Sequence, residues 1–259
     1  NEGDDRPWVA FFEATLRGRH GRYILPMRIE WQRFDRESYD PKALAAVRQG
    51  AREGTLIDVA SDKDFVATLI DNLHRGVVIE EMNAHLAFQP THVFAQGEAR
   101  PVDNVHAVEA EQSNSTSLVG ADYVVKVYRK LESGISPEIE MGRFLTEETS
   151  FANTPALLGS VELIESKRRG AVAVVHAFVQ NQGDAWAVTA SHLDRFADEH
   201  RLLPPDAGAD EPAEPAPYAL YMLQTGKRVA EMHMALASRN DITAFRPEPV
   251  TATDTQGWI

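Results

Sequence analysis

Apolar and polar residues alternate in several stretches of the chain, as they do in β-strands that bury one face. The segments 8–14 and 22–31 flank a glycine-containing turn and predict a first β-hairpin. Within it, Pro26 favours a sheet edge or a bulge, because proline cannot donate to a hydrogen-bond ladder. The segments 156–164 and 171–179 predict a second hairpin. The chain should therefore contain antiparallel strand pairs near its start and past its middle.

Helical spacing of apolar residues replaces this alternation between the hairpins. Ser61 or Asp62 can cap a helix over 62–73, whose apolar residues share one face. Ser136 and the proline after it predict the start of a helix that continues to about residue 148. Strands and helices of this kind in one chain predict the α+β fold class.

The last third of the chain has a helical pattern. The segments 186–200 and 218–237 are amphipathic, and the segment 202–217 between them is rich in proline and acidic residues. Such a composition indicates a loop or linker. The residues after 239 show no clear element, and the stretch 77–94 is only weakly patterned.

Composition excludes several classes of function. The 259 residues are 43% hydrophobic, and acids outnumber bases to give a net charge of −13. That charge disfavours nucleic acid or an anionic membrane as a general partner. No apolar run is long enough to span a bilayer, no signal peptide is recognisable, and the absence of cysteine excludes thiol catalysis and fits a reducing compartment. We therefore expect a cytoplasmic protein with no nucleic-acid and no membrane partner.

One lysine lies in the middle of an apolar strand. The segment 123–129 is rich in β-branched and aromatic residues and contains Lys126, whose ammonium would be costly to bury without a carboxylate partner. The next helix offers Glu138 and Glu140, and Glu140 is preferred because the helix dipole alone explains an acid in the first turn. Phosphoryl-transfer sites use such a pair to hold phosphates. The alternative is a solvated lysine on a half-exposed sheet.

A polar segment precedes this strand at the place where a loop could cover phosphates. Its hydroxyl and backbone N–H groups could meet phosphate oxygens, although no Gly-x-Gly-x-x-Gly or Walker pattern is present. The alternative is an ordinary polar hairpin turn. The candidate residues for binding a nucleotide in this segment are Ser113, Asn114, Ser115, Thr116 and Ser117.

Several short motifs occur in an order and at a spacing that resemble the maltokinase family, relatives of the aminoglycoside phosphotransferases with a kinase-like fold. The first group is Glu-Gln-Ser-Asn-Ser-Thr-Ser at 111–117, Tyr-Val-Val-Lys-Val-Tyr-Arg-Lys-Leu-Glu at 123–132, Pro-Glu-Ile-Glu-Met-Gly-Arg-Phe-Leu at 137–145 and Thr-Pro-Ala-Leu-Leu-Gly at 154–159. The second is Asn-Gln-Gly-Asp-Ala-Trp at 181–186, which is similar to the exit of the family's hinge, and Gly-Lys-Arg-Val-Ala-Glu-Met-His at 226–233. Upstream, Tyr-Ile-Leu-Pro-Met at 23–27 and Gly-Ala-Arg-Glu-Gly-Thr-Leu-Ile-Asp at 50–58 resemble the family's N-terminal cap.

The resemblance implies a domain plan and an activity. The plan is an N-terminal cap subdomain over 1–100, a kinase-like nucleotide-binding lobe with an antiparallel sheet and one key helix over 101–185, and the start of a helical second lobe over 186–259. The implied activity is ATP-dependent phosphorylation of maltose to maltose 1-phosphate, with Mg²⁺ as a further cofactor. Lys126 and Glu140 would anchor the phosphates, and a trehalose synthase is implied as a fused or associated partner.

The chain departs from the family in its catalytic motifs. Neither the family's His-Gly-Asp nor its Asp-Phe-Glu sequence occurs, and the nearest imitation, His192-Leu193-Asp194, falls within a predicted helix. No histidine pattern predicts a metal site. We therefore expect no catalytic residue and no metal ligand in this chain, with the base and the Mg²⁺ ligands beyond Ile259, and no activity of the chain alone. The alternatives are a non-catalytic kinase-fold module that docks with a glucan enzyme, or a small-molecule phosphotransferase with another acceptor.

Overall fold

The computed structural model describes residues 8–16, 19–31, 41–81, 83–98, 100–108, 114–166, 168–201 and 217–258. The chain packs as two compact units. The first comprises Asn1–Glu148 and Pro155–Val179, and the second comprises Thr149–Thr154 and Gln180–Ile259.

All strands of the described residues belong to the first unit. They are β1 (Trp8–Leu16), β2 (Arg19–Glu30), β3 (Ala43–Gln49), β4 (Arg52–Asp58), β5 (Val78–Glu81), β6 (Ala84–Pro90), β7 (Val105–Val108), β8 (Asn114–Val119), β9 (Tyr123–Tyr128), β10 (Lys130–Leu131), β11 (Leu157–Glu165) and β12 (Arg168–Ala177). The helices are α1 (Lys63–Arg75), α2 (His92–Gln96), α3 (Pro137–Glu147), α4 (Ala185–Arg201), α5 (Pro217–Leu236) and α6 (Ala252–Gly257).

Two antiparallel sheets organise the first unit. One has five strands in the order β1-β2-β4-β3, with β10 also pairing with β2, and the other has seven in the order β5-β6-β11-β12-β9-β8-β7. Both predicted hairpins form, as β1-β2 and β11-β12. The weakly patterned stretch 77–94 turns out to contain β5, β6 and α2. Because β5 and β6 extend the sheet that holds β9, strands from both sides of the predicted boundary at residue 100 lie in one sheet of the first unit. The division into a cap over 1–100, a lobe over 101–185 and a second lobe over 186–259 stays a prediction.

Pro26 lies on an inner strand, so the predicted sheet edge is wrong at this position. It opposes Val9 of β1, and on its other side β2 pairs first with β10 and then with β4. On that side, the N–H of Ile24 donates to the carbonyl of Arg129, and the carbonyl of Pro26 accepts from the N–H of Val59. The missing N–H of Pro26 therefore faces the junction between two partner strands, where no ladder bond is lost.

The two faces of the seven-stranded sheet pack against different elements. Val125 and Val127 of β9 point into the main core, which they share with Leu73 and other apolar residues of α1. The opposite face is covered in part by α3, whose Ile139 packs with Val174 in a second, smaller cluster. Alternation along β9 thus separates a fully buried face from one that is half-buried under a helix.

The predicted N-cap residues of α1 and α3 differ in whether their side chains make a capping hydrogen bond. Asp62, one of the two predicted caps of α1, accepts from the backbone N–H groups of Asp64 and Phe65. Ser136 stands at the N-cap of α3 with proline after it, as predicted, but its side chain makes no capping hydrogen bond. The first turn of α3 is therefore held by other contacts.

The second unit is helical and has little interior. Its helices α4 and α5 match the predicted segments 186–200 and 218–237, and the linker residues 202–216 lie outside the described residues. The C-terminal stretch that had no clear pattern contains a 3₁₀ turn at Thr243–Phe245 and α6, which a capping box begins. None of the described side chains of this unit is buried.

Replacing Gly159 of β11 by alanine should destabilise the first unit. A Cβ at this position would lie 2.7 Å from the carbonyl oxygen of Gln89 and 2.8 Å from Cδ1 of Leu73. Because the first of these is backbone of the neighbouring strand, relief requires the sheet to shift, and we expect a loss of about 1–3 kcal/mol. Chemical denaturation followed by circular dichroism measures it. Gly226→Ala in α5 is the control, since a Cβ there meets nothing within 4 Å and the transition of the first unit should be unchanged.

Candidate functional site

Lys126 lies at the centre of the half-buried face of the sheet. It opposes Thr116 of β8 on one side and Val174 of β12 on the other. Its neighbours along the strand, Val125 and Val127, face the main core, so the lysine side chain is directed to the side of α3. The side chain is 23% exposed, so the lysine is partly shielded from water on this half-exposed face of the sheet.

Glu138 is the carboxylate that meets this lysine, and the preference for Glu140 is wrong. The ammonium of Lys126 lies 3.0 Å from Oε2 of Glu138. Both glutamates flank Ile139, which is buried against the sheet, and residues two apart on a helix point in directions about 200° apart. Glu138 therefore faces β9. An acid in the first turn can interact favourably with the helix dipole and form an ion pair at the same time.

Glu140 makes no hydrogen bond or ion pair with Lys126. Its charge adds to the causes that raise the pKa of Arg169, the first of which is the hydrogen bond of Arg169 to Glu162. That pair is bidentate, with Nε of Arg169 2.8 Å from Oε1 of Glu162, whose side chain is 1% exposed. Arg169, in β12, is thus the counter-ion of a buried carboxylate.

Two further side chains converge on Glu138. The hydroxyl of Tyr128 donates to Oε2 at 2.6 Å, and Nε2 of His176 lies 3.4 Å from Oε1. Hydrogen bonding from His176, then from Tyr128 and Lys126, lowers the pKa of Glu138 from 4.5 to about 2, against burial, which raises it. We call these four residues the Glu138 cluster; its carboxylate is ionised at neutral pH. Sequence reasoning missed Tyr128 and His176 because strand register, which brings His176 opposite Val124, is not visible in one sequence.

The polar segment before β9 is a strand over most of its length. Ser113 lies outside the described residues, and Asn114–Ser117 belong to β8, so the predicted loop is wrong for these four. Asn114 opposes Tyr128 and Thr116 opposes Lys126, which places both on the face of the Glu138 cluster. The predicted phosphate contacts of these two stay a prediction.

Ser115 and Ser117 point to the opposite face. Ser117 opposes Val125, is buried, and its hydroxyl has no hydrogen-bond partner among the described residues. Ser115 accepts from Nε of Arg129 at 2.8 Å, and Nη2 of Arg129 lies 2.6 Å from Oδ2 of Asp58. Ser115 therefore helps to join the two sheets of the first unit and faces away from Lys126.

A cavity of about 370 Å³ lies beside the cluster, where β8 and β9 meet the segment that leads into α3. Asn114 and Tyr128 line its sheet side, and Gly134 and Ser136 line the side of the helix start. A larger cavity, of about 650 Å³, is lined by Phe94, Tyr123 and others and includes the ion pair of Arg100 with Asp122, but no member of the Glu138 cluster. The smaller cavity is therefore the one linked to the candidate site.

The remaining predicted features add no catalytic centre. His192 lies in α4 and stacks on Tyr218 of α5, with ring centroids 4.0 Å apart, while Asp194 is exposed. In the part of the chain that the structure describes, no three histidine or acidic side chains come together to hold a metal ion. No helix in that part is both long and apolar enough to cross a membrane.

Comparison with known proteins gives a fold and no family. No model of a known family matches the chain. The chain is similar to glucosamine kinase in complex with glucosamine, ADP and inorganic phosphate, with a TM-score of 0.54 and 20% identity over 99% of this chain and 52% of that one. For crystal form B of glucosamine kinase the TM-score is 0.54 and the sequence identity 21%, over 98% of this chain and 50% of that one. For crystal form A the TM-score is 0.52 and the sequence identity 21%, over 97% of this chain and 49% of that one.

This similarity confirms part of the predicted fold. The chain is α+β with antiparallel sheets and matches roughly half of a kinase-like protein. It spans about half the length of the structures it matches. At this level of identity the similarity supports the fold alone, and the roles of the Glu138 cluster stay a prediction.

Glu138→Gln should change how the stability of the protein depends on pH. Because folding lowers the pKa of Glu138 from 4.5 to about 2, its carboxylate stabilises the fold above pH 4.5, and this contribution is lost as the pH falls toward 2. The difference in free energy of unfolding between wild type and variant should thus be constant near neutrality and shrink across that window. Urea titrations at a series of pH values measure it, with Glu140→Gln, which makes no contact with Lys126, as the control. A difference that stays constant down to pH 2 would contradict the ion pair.

Proposed function

We propose that this chain is the nucleotide-binding front part of an ATP-dependent sugar kinase. The observation that carries the proposal is the ion pair of Lys126 with Glu138 between the central sheet and the one helix that covers its face. Protein kinases use a strand lysine held by a helix glutamate to position ATP phosphates, and the fold of this chain is kinase-like.

The chemistry of Lys126 suits a phosphate ligand. Its ammonium carries three N–H donors, and the contact with Glu138 uses one of them. The carboxylate of Glu138 balances the ammonium when no nucleotide is bound and keeps the side chain extended along the sheet face. Asn114 and Thr116 on the same face supply polar groups next to it. The similar glucosamine kinase was solved with ADP, which supports a nucleotide as the ligand of this site.

The proposed reaction transfers the γ-phosphoryl group of ATP to the anomeric hydroxyl of maltose. The hydroxyl at C1 gives its proton to a general base, its oxygen forms the new bond to the γ-phosphorus, the bond from that phosphorus to the β-phosphate oxygen breaks, and ADP and maltose 1-phosphate leave. Maltose as acceptor rests on the resemblance of the motifs at 111–117, 123–132 and 137–145 to the maltokinases. The glucosamine in the similar structure supports a sugar in general. A trehalose synthase as partner rests on the family resemblance alone.

The base and the Mg²⁺ ligands are proposed to lie beyond Ile259. The described residues do not fit Mg²⁺, since no three metal-ligating side chains come together among them. The second unit supports a larger helical lobe, because it leaves Trp186, Leu223 and Trp258 more than 70% exposed. The similarity to half of a kinase-like chain agrees with this.

A non-catalytic module is the second candidate function. It is favoured by the lack of the His-Gly-Asp and Asp-Phe-Glu motifs and by the lack of a metal cluster among the described residues. The two candidates differ in one measurable property. A kinase needs Lys126 for nucleotide binding, whereas a docking module does not.

Lys126→Met should weaken ATP binding by about 10- to 100-fold, the equivalent of losing one or two charge-assisted hydrogen bonds. Isothermal titration calorimetry on the full-length protein that contains this chain measures the dissociation constant. Glu138→Gln should weaken binding by a smaller factor, because the lysine remains but loses its orientation. Lys63→Met is the matched control, since this exposed lysine pairs with Asp103 away from α3. Wild-type affinity in Lys126→Met would exclude the kinase proposal.

The acceptor is tested separately. The full-length protein, supplied with ATP and Mg²⁺, should phosphorylate maltose with a higher kcat/KM than glucosamine, glucose or an aminoglycoside. The site of phosphorylation, read by phosphorus NMR, should be the anomeric oxygen. If the protein preferred glucosamine, maltose would be wrong as the proposed acceptor, while the proposed nucleotide site would be unaffected.

A further inference from the structure

The two oxygens of the Glu138 carboxylate are held by two different strands. Oε2 accepts from Lys126 and Tyr128 of β9, and Oε1 lies 3.4 Å from Nε2 of His176 on β12. His176 is the partner of Oε1 among the residues that the structure describes. The carboxylate therefore bridges neighbouring strands, and each strand fixes one of its oxygens.

Glu138 stands where its helix needs such support. It occupies the first turn of α3, and the side chain of Ser136 makes no capping hydrogen bond there. Backbone N–H groups at a helix start have no intrahelical acceptor, and this turn is the first to fray. With the Oε1 contact removed, the carboxylate would be fixed at one oxygen only and could rotate about its terminal bond.

The contact defines the proton position on His176. An ionised carboxylate only accepts, so a hydrogen bond across the 3.4 Å contact requires a proton on Nε2. Nδ1 is buried and has no hydrogen-bond partner among the described residues. A proton on Nδ1 would be a buried donor without an acceptor, which is costly. A ring with its proton on Nε2 is therefore the one that fits this position.

We propose that His176 is a positioning residue of the phosphate-anchoring pair. Its Nε2–H fixes Oε1 of Glu138, so that Oε2 holds the ammonium of Lys126 in the orientation that meets phosphate oxygens. This inference rests on the proposed function, since it assigns His176 a part in binding ATP. His176 itself touches no phosphate.

Three variants test the donor role directly. His176→Gln keeps an N–H donor at the position of Nε2, His176→Leu removes it, and His85→Leu is the control at another half-buried histidine of the same sheet, on β6. In the full-length protein, His176→Leu should raise the dissociation constant for ATP about 5- to 10-fold, the effect of losing one hydrogen bond of ordinary strength. His176→Gln should stay within about 3-fold of wild type, and the KM for maltose should be unchanged in both.

The outcomes separate this inference from the proposed function. If the wild type binds no ATP, the proposed function fails. If the wild type binds ATP and His176→Leu binds it equally well, the positioning role fails and the kinase proposal stands. If ATP binding were weakened equally in His176→Gln and His176→Leu, the donor role of His176 would be overturned, because the effect would then come from side-chain packing.

A second measurement needs no nucleotide. The unfolding free energies of His176→Leu, Glu138→Gln and the double variant should be non-additive, because both single changes break the same contact. His85→Leu combined with Glu138→Gln should be additive. Additivity in both pairs would overturn the link between His176 and Glu138 whatever the protein binds.

Discussion

The candidate site depends on one constraint, a lysine that stands between two buried valines in β9. Val125 and Val127 are fixed in the core, and the pleat then directs Lys126 under α3, where its ammonium is only partly exposed to water. A cation in such a place needs a carboxylate. The start of α3 supplies it through Glu138, and the position of this helix start is thereby coupled to β9 and, through His176, to β12.

The parts of the fold that are predictable depend on local patterns. Two mainly apolar segments, 156–164 and 171–179, that flank a polar turn define a hairpin without knowledge of the rest of the chain, and the Ser-Pro pair before residue 138 marks a helix start. The predicted edge position of Pro26 is wrong for a complementary reason. The sequence shows that Pro26 has no N–H to donate. Only the tertiary structure shows that this position of the backbone faces the junction between β10 and β4, where no donor is needed.

The candidate site is predictable in its lysine and not in its partners. Lys126 stands out in sequence because it interrupts an apolar strand, whereas the choice between Glu138 and Glu140 depends on how α3 is rotated about Ile139. That rotation is set by packing against the sheet and has no signature in the neighbouring residues of the helix. The loop predicted over 114–117 is wrong for a similar reason, because serine and threonine suit both turns and strands, and pairing with β9 decides between them.

The proposed ligand-binding role of the Glu138 cluster is consistent with its energetics. Half-buried ion pairs recover little net stability after the cost of removing two charges from water, and apolar residues of similar size often stabilise a sheet face better. Four polar side chains nevertheless converge at this point, while the opposite face of β9 is apolar. An ammonium fixed through a carboxylate that is contacted at both oxygens is the arrangement that a preorganised anion site requires. A phosphate group arriving at Lys126 would meet a donor already oriented, and the protein would not have to order that side chain on binding.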